Sequence, residues 1–355
     1  MDPNARQPRP FIIPIFLPHT GCPHRCVFCD QSAITGQTLP LPRPDQIRSE
    51  INKFLKFSKH PHETVQISFY GGNFLGLPEI TVRRLLDLAT EFIATGDVNS
   101  IRFSTRPDTI YPHRLAWLAG YRVATIELGA QSMDNRVLEK SNRGHRAADT
   151  EKAMALLKDG GYETGLQMML GLPADTAAGA LASGRRMQAL APNFVRIYPA
   201  LVLSGSLLAE LLAAGDYTPL TLDAAVDISA QLYKLFTNSH IRVVRMGLQS
   251  SIELNQGNTV LAGPYHPAFG QLVMSKLFLD SVCRELRRHG HTQSAISIAV
   301  SPRSVSHVKG QKKNNMAALR RMFATDNITV SASPELADTQ VRVNMGAPVS
   351  ILSGA

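Results

Sequence analysis

The sequence predicts an α/β protein: a partial (β/α)6 barrel followed by a smaller C-terminal α+β domain. Three observations carry this reading. Six short apolar or alternating runs recur between residues 11 and 198, separated by helical-period stretches and turn clusters, a rhythm that builds βαβ units on a parallel sheet. A complete eight-fold barrel takes about 250 residues, more than this stretch offers, so six units fit. Finally, the residues with chemical potential (a cysteine cluster, a glycine pair, an arginine) stand just after strands, where barrels carry their chemistry.

The elements follow in order. Phe11–Leu17 is an apolar run and the first strand, and a Gly/Pro/Cys loop leaves it. A helix is expected from about Pro44 to Phe57. Thr64–Tyr70 alternates and ends on Gly71-Gly72, which reads as strand then loop. Leu77–Ile93 is helical, with Pro78 suited to a first turn. Ser100–Thr105 and Val123–Leu128 are the third and fourth strands, the former closed by Arg106-Pro107-Asp108. Helical pattern then runs to about Gly160. Thr164–Leu170 is the fifth strand, followed by a helix over about Asp175–Leu190 and a sixth strand at Asn193–Tyr198. Beyond these come helical stretches at Leu207–Leu212 and Asp223–Asn238 and a strand at Ile241–Met246. The texture changes near residue 250, which sets the expected domains at 1–249 and 250–355. Gly263–Pro267 is a rigid turn, Phe269–Arg288 a helix, and short β-like runs and a basic stretch follow. No internal repeat or low-complexity tract interrupts the chain.

Composition narrows the function classes. With 355 residues, 44% of them hydrophobic and 18% charged, the chain can bury a sizeable core, which excludes bulk disorder and fibrous classes. No apolar run reaches the ~18 residues of a membrane helix. The opening segment to Pro10 is polar and lacks a signal-peptide core, so the expected location is the cytoplasm. Net charge is +9, and from Arg284 to Arg321 nine basic residues face a single acid, Glu285. Such a segment suits an anionic partner, with nucleic acid first, or else a solvated basic face.

Of four cysteines, Cys22, Cys26 and Cys29 fall within eight residues, while Cys283 stands alone. A disulfide framework would spread them; a tight cluster reads as metal or cluster ligation. Three thiolates on one loop can hold three irons of a cubane [4Fe–4S] cluster and leave the fourth iron open for a small molecule, whereas ferredoxin-type clusters use four cysteines. The competing reading is a structural zinc site completed by His24 or His19. A loop opening a barrel mouth needs no such closed staple.

The C-x3-C-x2-C loop, with the aromatic Phe28 before its last cysteine, resembles the radical S-adenosylmethionine (SAM) superfamily. That resemblance implies a barrel of the radical SAM type, with Cys22, Cys26 and Cys29 as cluster ligands. It further implies that the open iron chelates SAM, which is cleaved to a 5′-deoxyadenosyl radical that abstracts hydrogen from a substrate. Gly71-Gly72-Asn73 is similar to the family segment that holds the SAM amino group. Glu127-Leu-Gly-Ala-Gln131-Ser132, with Arg143 twelve residues after Gln131, resembles a stretch shared by the Elongator catalytic-subunit and oxygen-independent coproporphyrinogen oxidase branches. There the glutamine and arginine lie beside SAM. The strand closing on Gly171-Leu172-Pro173 resembles the next family segment, with Met168-Met169 as apolar barrel packing. Gln167 and Ser104 occupy positions where the porphyrin branch has carboxylates, and these departures argue against that branch; Ser104-Thr-Arg106-Pro-Asp108, Glu127–Ser132 and Gly171-Leu172-Pro173 resemble the Elongator-like branch best.

The implied protein is therefore a short, Elongator-like radical SAM enzyme without the acetyltransferase domain of full-length catalytic subunits. Its expected cofactors are a [4Fe–4S] cluster and SAM, with Phe28, Gly71, Gly72, Asn73, Ser104, Glu127, Gln131, Arg143 and Gln167 as cofactor-site candidates. A low-potential electron donor, ferredoxin or flavodoxin, is an implied partner. The basic segment makes tRNA or another RNA the leading substrate, docked through Arg284, Arg287, Arg288, Lys309, Lys312 and Lys313. The alternatives are a tetrapyrrole or other small-molecule radical enzyme, or a non-catalytic carrier of haem or RNA in which Tyr265 and His266 present a ligand to the barrel mouth.

Overall fold

The computed structural model describes residues 10–17, 21–30, 41–57, 64–248, 259–289 and 295–353. Seven parallel strands form one sheet in chain order: β1 (Phe11–Phe16), β2 (Val65–Tyr70), β3 (Ser100–Thr105), β4 (Val123–Gln131), β5 (Glu163–Leu170), β6 (Phe194–Pro199) and, after a short outlying strand, β8 (Arg242–Met246). The expected six-unit barrel is thus extended by one strand. The sequence marks 242–246 as β, and what recruits it is pairing: β8 lies parallel to β6, with Arg196 opposite Arg245.

Period-two alternation splits each strand between two environments. Ile13 and Ile15, Ile67 and Phe69, Ile101 and Phe103, Ile126 and Leu128, and Leu166 and Met168 are buried in one apolar core. That core also receives the buried residues of α1 (Pro44–Leu55), α2 (Glu79–Ala94), α4 (Ala147–Asp159) and α5 (Ala177–Ala189). The other face is mixed: Ile12 and Phe16 on β1 and Phe194 on β6 are apolar, and polar residues fill the strands between. It carries Gln66 and Tyr70 on β2, Arg102 and Ser104 on β3, Glu127 on β4, Gln167 on β5 and Arg196 on β6. Over β2–β4 this concave face is packed, with Gln66, Ser68, Arg102, Thr125 and Glu127 buried, and it is more open at Arg196 on β6, whose side chain is 18% exposed.

Between β4 and α4 stands the short α3 (Asn135–Lys140). After β6, strand β7 (Val202–Leu203) pairs antiparallel with β9 (Val260–Ala262). Helix α6 (Leu207–Ala213) follows β7, and α7 (Leu222–Asn238) is capped by Thr221, whose hydroxyl accepts from Ala224 N–H. The C-terminal region is built on α8 (Phe269–Arg288), with α9 (Val305–Lys309), α10 (Asn314–Phe323) and a four-stranded sheet. In that sheet β10 (Ala295–Val300) runs parallel to β11 (Asn327–Ala332) and antiparallel to β12 (Gln340–Val343), and β13 (Val349–Ser350) completes the edge. A second apolar core joins this sheet to α8 and also takes Ala225, Val226 and Ala230 from α7. The expected domain boundary at 249/250 lies outside the described residues, as does His19.

The basic stretch after Arg288 departs from its expected form. It is not an extended strip: residues 302–323 fold as successive helical turns. Gly310 (φ 74°), Lys312 (φ 49°) and Lys313 (φ 61°) adopt left-handed backbone that reverses the chain between α9 and α10. Arg303 pairs with Asp338 and Arg320 with Asp326, each at 3.7 Å.

Candidate active site at the strand ends

The cysteine loop leaves β1 at the C-terminal edge of the sheet and is fastened on three sides. On the first, backbone packs on backbone. A Cβ at Gly21 would lie 2.3 Å from the Asn73 carbonyl oxygen, and one at Gly76 only 2.1 Å from the Gly21 oxygen, so only glycine fits either place. Asn73 locks this contact: its Nδ2 donates to the Gly21 carbonyl at 2.7 Å. Its Oδ1 accepts from Thr105 Oγ1 at 2.6 Å, Arg106 N–H at 3.0 Å and Thr109 Oγ1 at 3.1 Å. On the second side, Val27 N–H donates to Ser141 O at 3.2 Å and Asn142 Nδ2 to Arg25 O at 2.7 Å. His24 lies against Gly144. On the third, Leu208 N–H donates to Val27 O and Arg25 to Gly205 O, both at 2.8 Å. Phe28 packs between the apolar clusters around Val202 and around Leu172 and Ala200. Met169 joins the latter, while Met168 is fully buried in the barrel core.

Arg143 joins the cysteine loop to the β4 turn. Its Nη1 donates to Cys26 Sγ at 3.1 Å and its Nη2 to the Gly129 carbonyl at 2.5 Å. Arg106 stands behind it, donating to the Arg143 carbonyl and bridging to Asp108 at 2.8–2.9 Å. Arg106 Nη1 and Arg143 Nε are buried without a hydrogen-bond partner among the described residues. Gln131 ends β4 at φ 65°, with Ser132 N–H donating to Ala130 O at 2.8 Å across it. That is a γ-turn of the strained sense, and such backbone costs about 1–3 kcal/mol and clusters at functional sites. Gln131 Oε1 accepts from Gln167 at 3.3 Å. Gly71 (φ 97°) brings its Cα against Leu17, where a Cβ would lie 3.1 Å from the carbonyl oxygen. The loop, the glycine pair, Gln131 and Arg143 therefore share one end of the sheet.

Two expected cofactor residues are placed otherwise. The Asn73 side chain is 1% exposed and consumed by the contacts above, so it braces the wall rather than facing a ligand. Glu127, also buried, accepts at Oε1 from Arg102 Nε at 2.6 Å, Tyr70 OH at 2.9 Å and Arg196 Nη2 at 3.1 Å, and at Oε2 from Arg196 Nε at 2.5 Å. Burial alone would raise its pKa, but Arg196 and Arg102 outweigh that and hold it below the usual carboxylate range. Ser104 lies half-buried opposite Glu127 in the β3–β4 register. Gly72 is half-buried beside Gly71. The sequence reading missed Gly21, Gly76, Arg102 and Arg196. Arg106 stood out by its place directly after a strand, but its partners Asp108 and the Arg143 carbonyl did not.

The donor set fits an iron–sulfur cluster. Cys22 is exposed at the loop surface and Cys26 is buried; burial, then the neighbouring Cys26 and Cys22, raise the Cys29 thiol to about 12. Among the described residues no three His, Cys, Asp or Glu side chains gather round a single-ion point. A cubane binds each thiolate to a separate iron and does not require one. The unpartnered guanidinium N–H groups beside the loop suit the sulfur of such a cluster or a carboxylate. Burial, and Arg143 after it, lower the His145 pKa to about 3, which keeps this neighbour neutral. His266, proposed from sequence as a presented ligand, accepts the Ala268 N–H at its Nδ1 at 3.0 Å and so braces its own turn.

Comparison with known proteins agrees with this geometry. Residues 16–180 match the Radical SAM superfamily and residues 192–278 the Radical_SAM C-terminal domain. The chain is 23% identical over 344 residues to a tRNA uridine(34) acetyltransferase of Methanocaldococcus infernus, covering 84% of this chain and 62% of that protein. It is 26% identical over 254 residues to Elongator complex protein 3 of Danio rerio, covering 66% and 45%. The solved structure of archaeal Methanocaldococcus infernus Elp3 with an N-terminal deletion superposes with a TM-score of 0.59 at 20% identity, over 84% of this chain and 66% of that one. The chain thus spans 45% to 62% of the length of these two curated relatives. Among the described residues no helix is long and apolar enough to cross a membrane. Matched through its barrel and on into α8, this chain belongs to the radical SAM superfamily.

Proposed function

We propose that this enzyme modifies RNA, with tRNA the leading class. In this reading Cys22, Cys26 and Cys29 hold a [4Fe–4S] cluster, and Gly71, Gly72, Gln131 and Arg143 shape the SAM site. The observation that carries the cluster and SAM site is the Arg143 bridge from Cys26 to the Gly129 carbonyl, which precedes the strained turn at Gln131. When bound, cluster and SAM supply one-electron, hydrogen-abstracting chemistry, fed by a ferredoxin or flavodoxin. The chain's own part is to hold the loop rigid, to keep water from Cys26 and to offer Arg143 to a carboxylate.

RNA as substrate is supported by the tRNA-acting names of the relatives and by exposed cations on the C-terminal region. Arg287, Arg288, Lys309, Lys312, Lys313 and Arg321 are exposed and form no ion pair with described residues. Arg284 is half-buried and engages Ser281 and Glu285. Arg287 and Arg288 border an open groove of about 770 Å³ that also takes Met322, at the end of α10. Lys312 and Lys313 precede the start of α10, about 15 Å away at 1.5 Å per residue.

Two measurements test the reading. Anaerobic reconstitution should load about four irons per chain, and SAM should then yield 5′-deoxyadenosine on reduction. Binding of tRNA should weaken steeply with salt, because phosphate contacts release counterions. Charge reversal at Arg287 and Arg288 should weaken it and flatten the salt slope. Stoichiometric zinc without iron would sink the cluster assignment; salt-insensitive or absent tRNA binding would sink RNA.

A further inference from the structure

The concave face below the SAM-site residues holds more guanidinium than carboxylate. Glu127 is the single acid of its cluster, yet it is shared by Arg102 and Arg196. The other members, Tyr70 and Gln66, are neutral at physiological pH: Tyr70 OH bridges Glu127 and Arg196, and Gln66 accepts from Arg102 Nη1. Burial, with Glu127 adding to it, pushes the Tyr70 phenol up to about 12. Among the described residues the cluster therefore carries one uncompensated positive charge. Burying such a charge is costly unless an anion completes it.

The three charged members differ in exposure. Glu127 and Arg102 side chains are 5% and 7% exposed, but Arg196 is 18% exposed. Arg196 commits Nε and Nη2 to Glu127 and Tyr70, while its Nη1 has no hydrogen-bond partner among the described residues. In the β5–β6–β8 register, Gln167, Arg196 and Arg245 lie side by side. Gln167 also reaches Gln131, so this row begins where the strained turn ends. Among the described residues of β5, Glu163 lies on the same face but is paired with Arg242.

From this we infer an oxyanion-binding subsite on the concave face of the barrel sheet, centred on Arg196 and flanked by Gln167 and Arg245, that receives a carboxylate or phosphate of the substrate. An arginine fork matches either group. The oxyanion can come from an acidic small molecule or from one extruded nucleotide, and the two sources differ in the group they present. The inference stands on this face alone, so RNA binding on the outer helices can fail while this site remains.

The test is calorimetric titration of the full chain, reconstituted anaerobically, with inorganic phosphate and separately with propionate in low-salt buffer. The expected result is one site per chain whose affinity falls about ten-fold or more in Arg196→Gln. Gln167→Glu should weaken it to the same extent by supplying an internal carboxylate next to Arg196; it guards against misfolding, since it adds the missing charge instead of removing one. Arg287→Glu with Arg288→Glu should keep the site. A response to phosphate alone assigns a nucleotide phosphate, and one to propionate alone a carboxylate substrate. Absence of a site, or one that Gln167→Glu weakens by less than ten-fold, overturns the inference.

Discussion

Glu127 accepts from two guanidiniums and a phenol in a space nearly closed to water, and its titration follows from that company. Its folded pKa is depressed, below an unfolded value of about 4.3. The stability it contributes is therefore complete above about pH 4.3 and is lost as pH falls from there through the lower folded value. Glu127→Gln should abolish that part of the acid limb. At neutral pH it should cost about 3–5 kcal/mol, because it strands buried charges. Urea unfolding across pH 3–7 reads both effects, and an unchanged acid limb would show that Glu127 does not govern it. From sequence, Glu127 stood out as a cofactor residue. What the sequence could not show is that β3 and β6 bring Arg102 and Arg196 to the same carboxylate, because that meeting depends on strand register. The tight spacing of Cys22, Cys26 and Cys29 marked the loop as a cluster candidate, and resemblance alone drew attention to Arg143, which lies against Cys26.

Elements are held to one another by a few close contacts, of which the Gly21–Asn73–Gly76 junction matters most to the cysteine loop. Gly76→Ala would force a methyl onto the Gly21 carbonyl, 2.1 Å away. Neither side is a flexible side chain, so the loop must move. The expected outcome is a clear loss of iron after reconstitution, by half or more, with far-UV circular dichroism retained. Asn73→Ala should act through the same joint, leaving the buried Arg106 N–H without its acceptor at a cost of about 1–3 kcal/mol. Full iron loading in Gly76→Ala would show that this packing is dispensable. Strand and helix positions were largely readable, with α8 matching Phe269–Arg288 in full, because long periodic segments announce themselves. The basic run was not: its left-handed residues at Lys312 and Lys313 carry no side-chain signature, and nothing in their identity marks a reversal.

At the scale of the whole molecule, α7 makes the barrel and the C-terminal region one body. Ile228, Leu232 and Phe236 enter the barrel core, while Ala225, Val226 and Ala230 enter the core around α8 and β10. The small residues on the second face let α8 approach closely. Sequence reading treated 250 as a change of unit because composition shifts there, and could not see that a helix before that point serves both cores. This sharing predicts coupled unfolding. Phe236→Ala removes a fully buried ring from the barrel side, which costs about 3–5 kcal/mol. If the two cores open together, the amides of Ile296, Ile298 and Val300 in β10 should lose hydrogen-exchange protection along with those of β6, although β10 touches only the second core. Opening of separate units would leave β10 protection unchanged. Hydrogen exchange of the single variant against wild type distinguishes the two, and protection lost only in the barrel would refute the coupling.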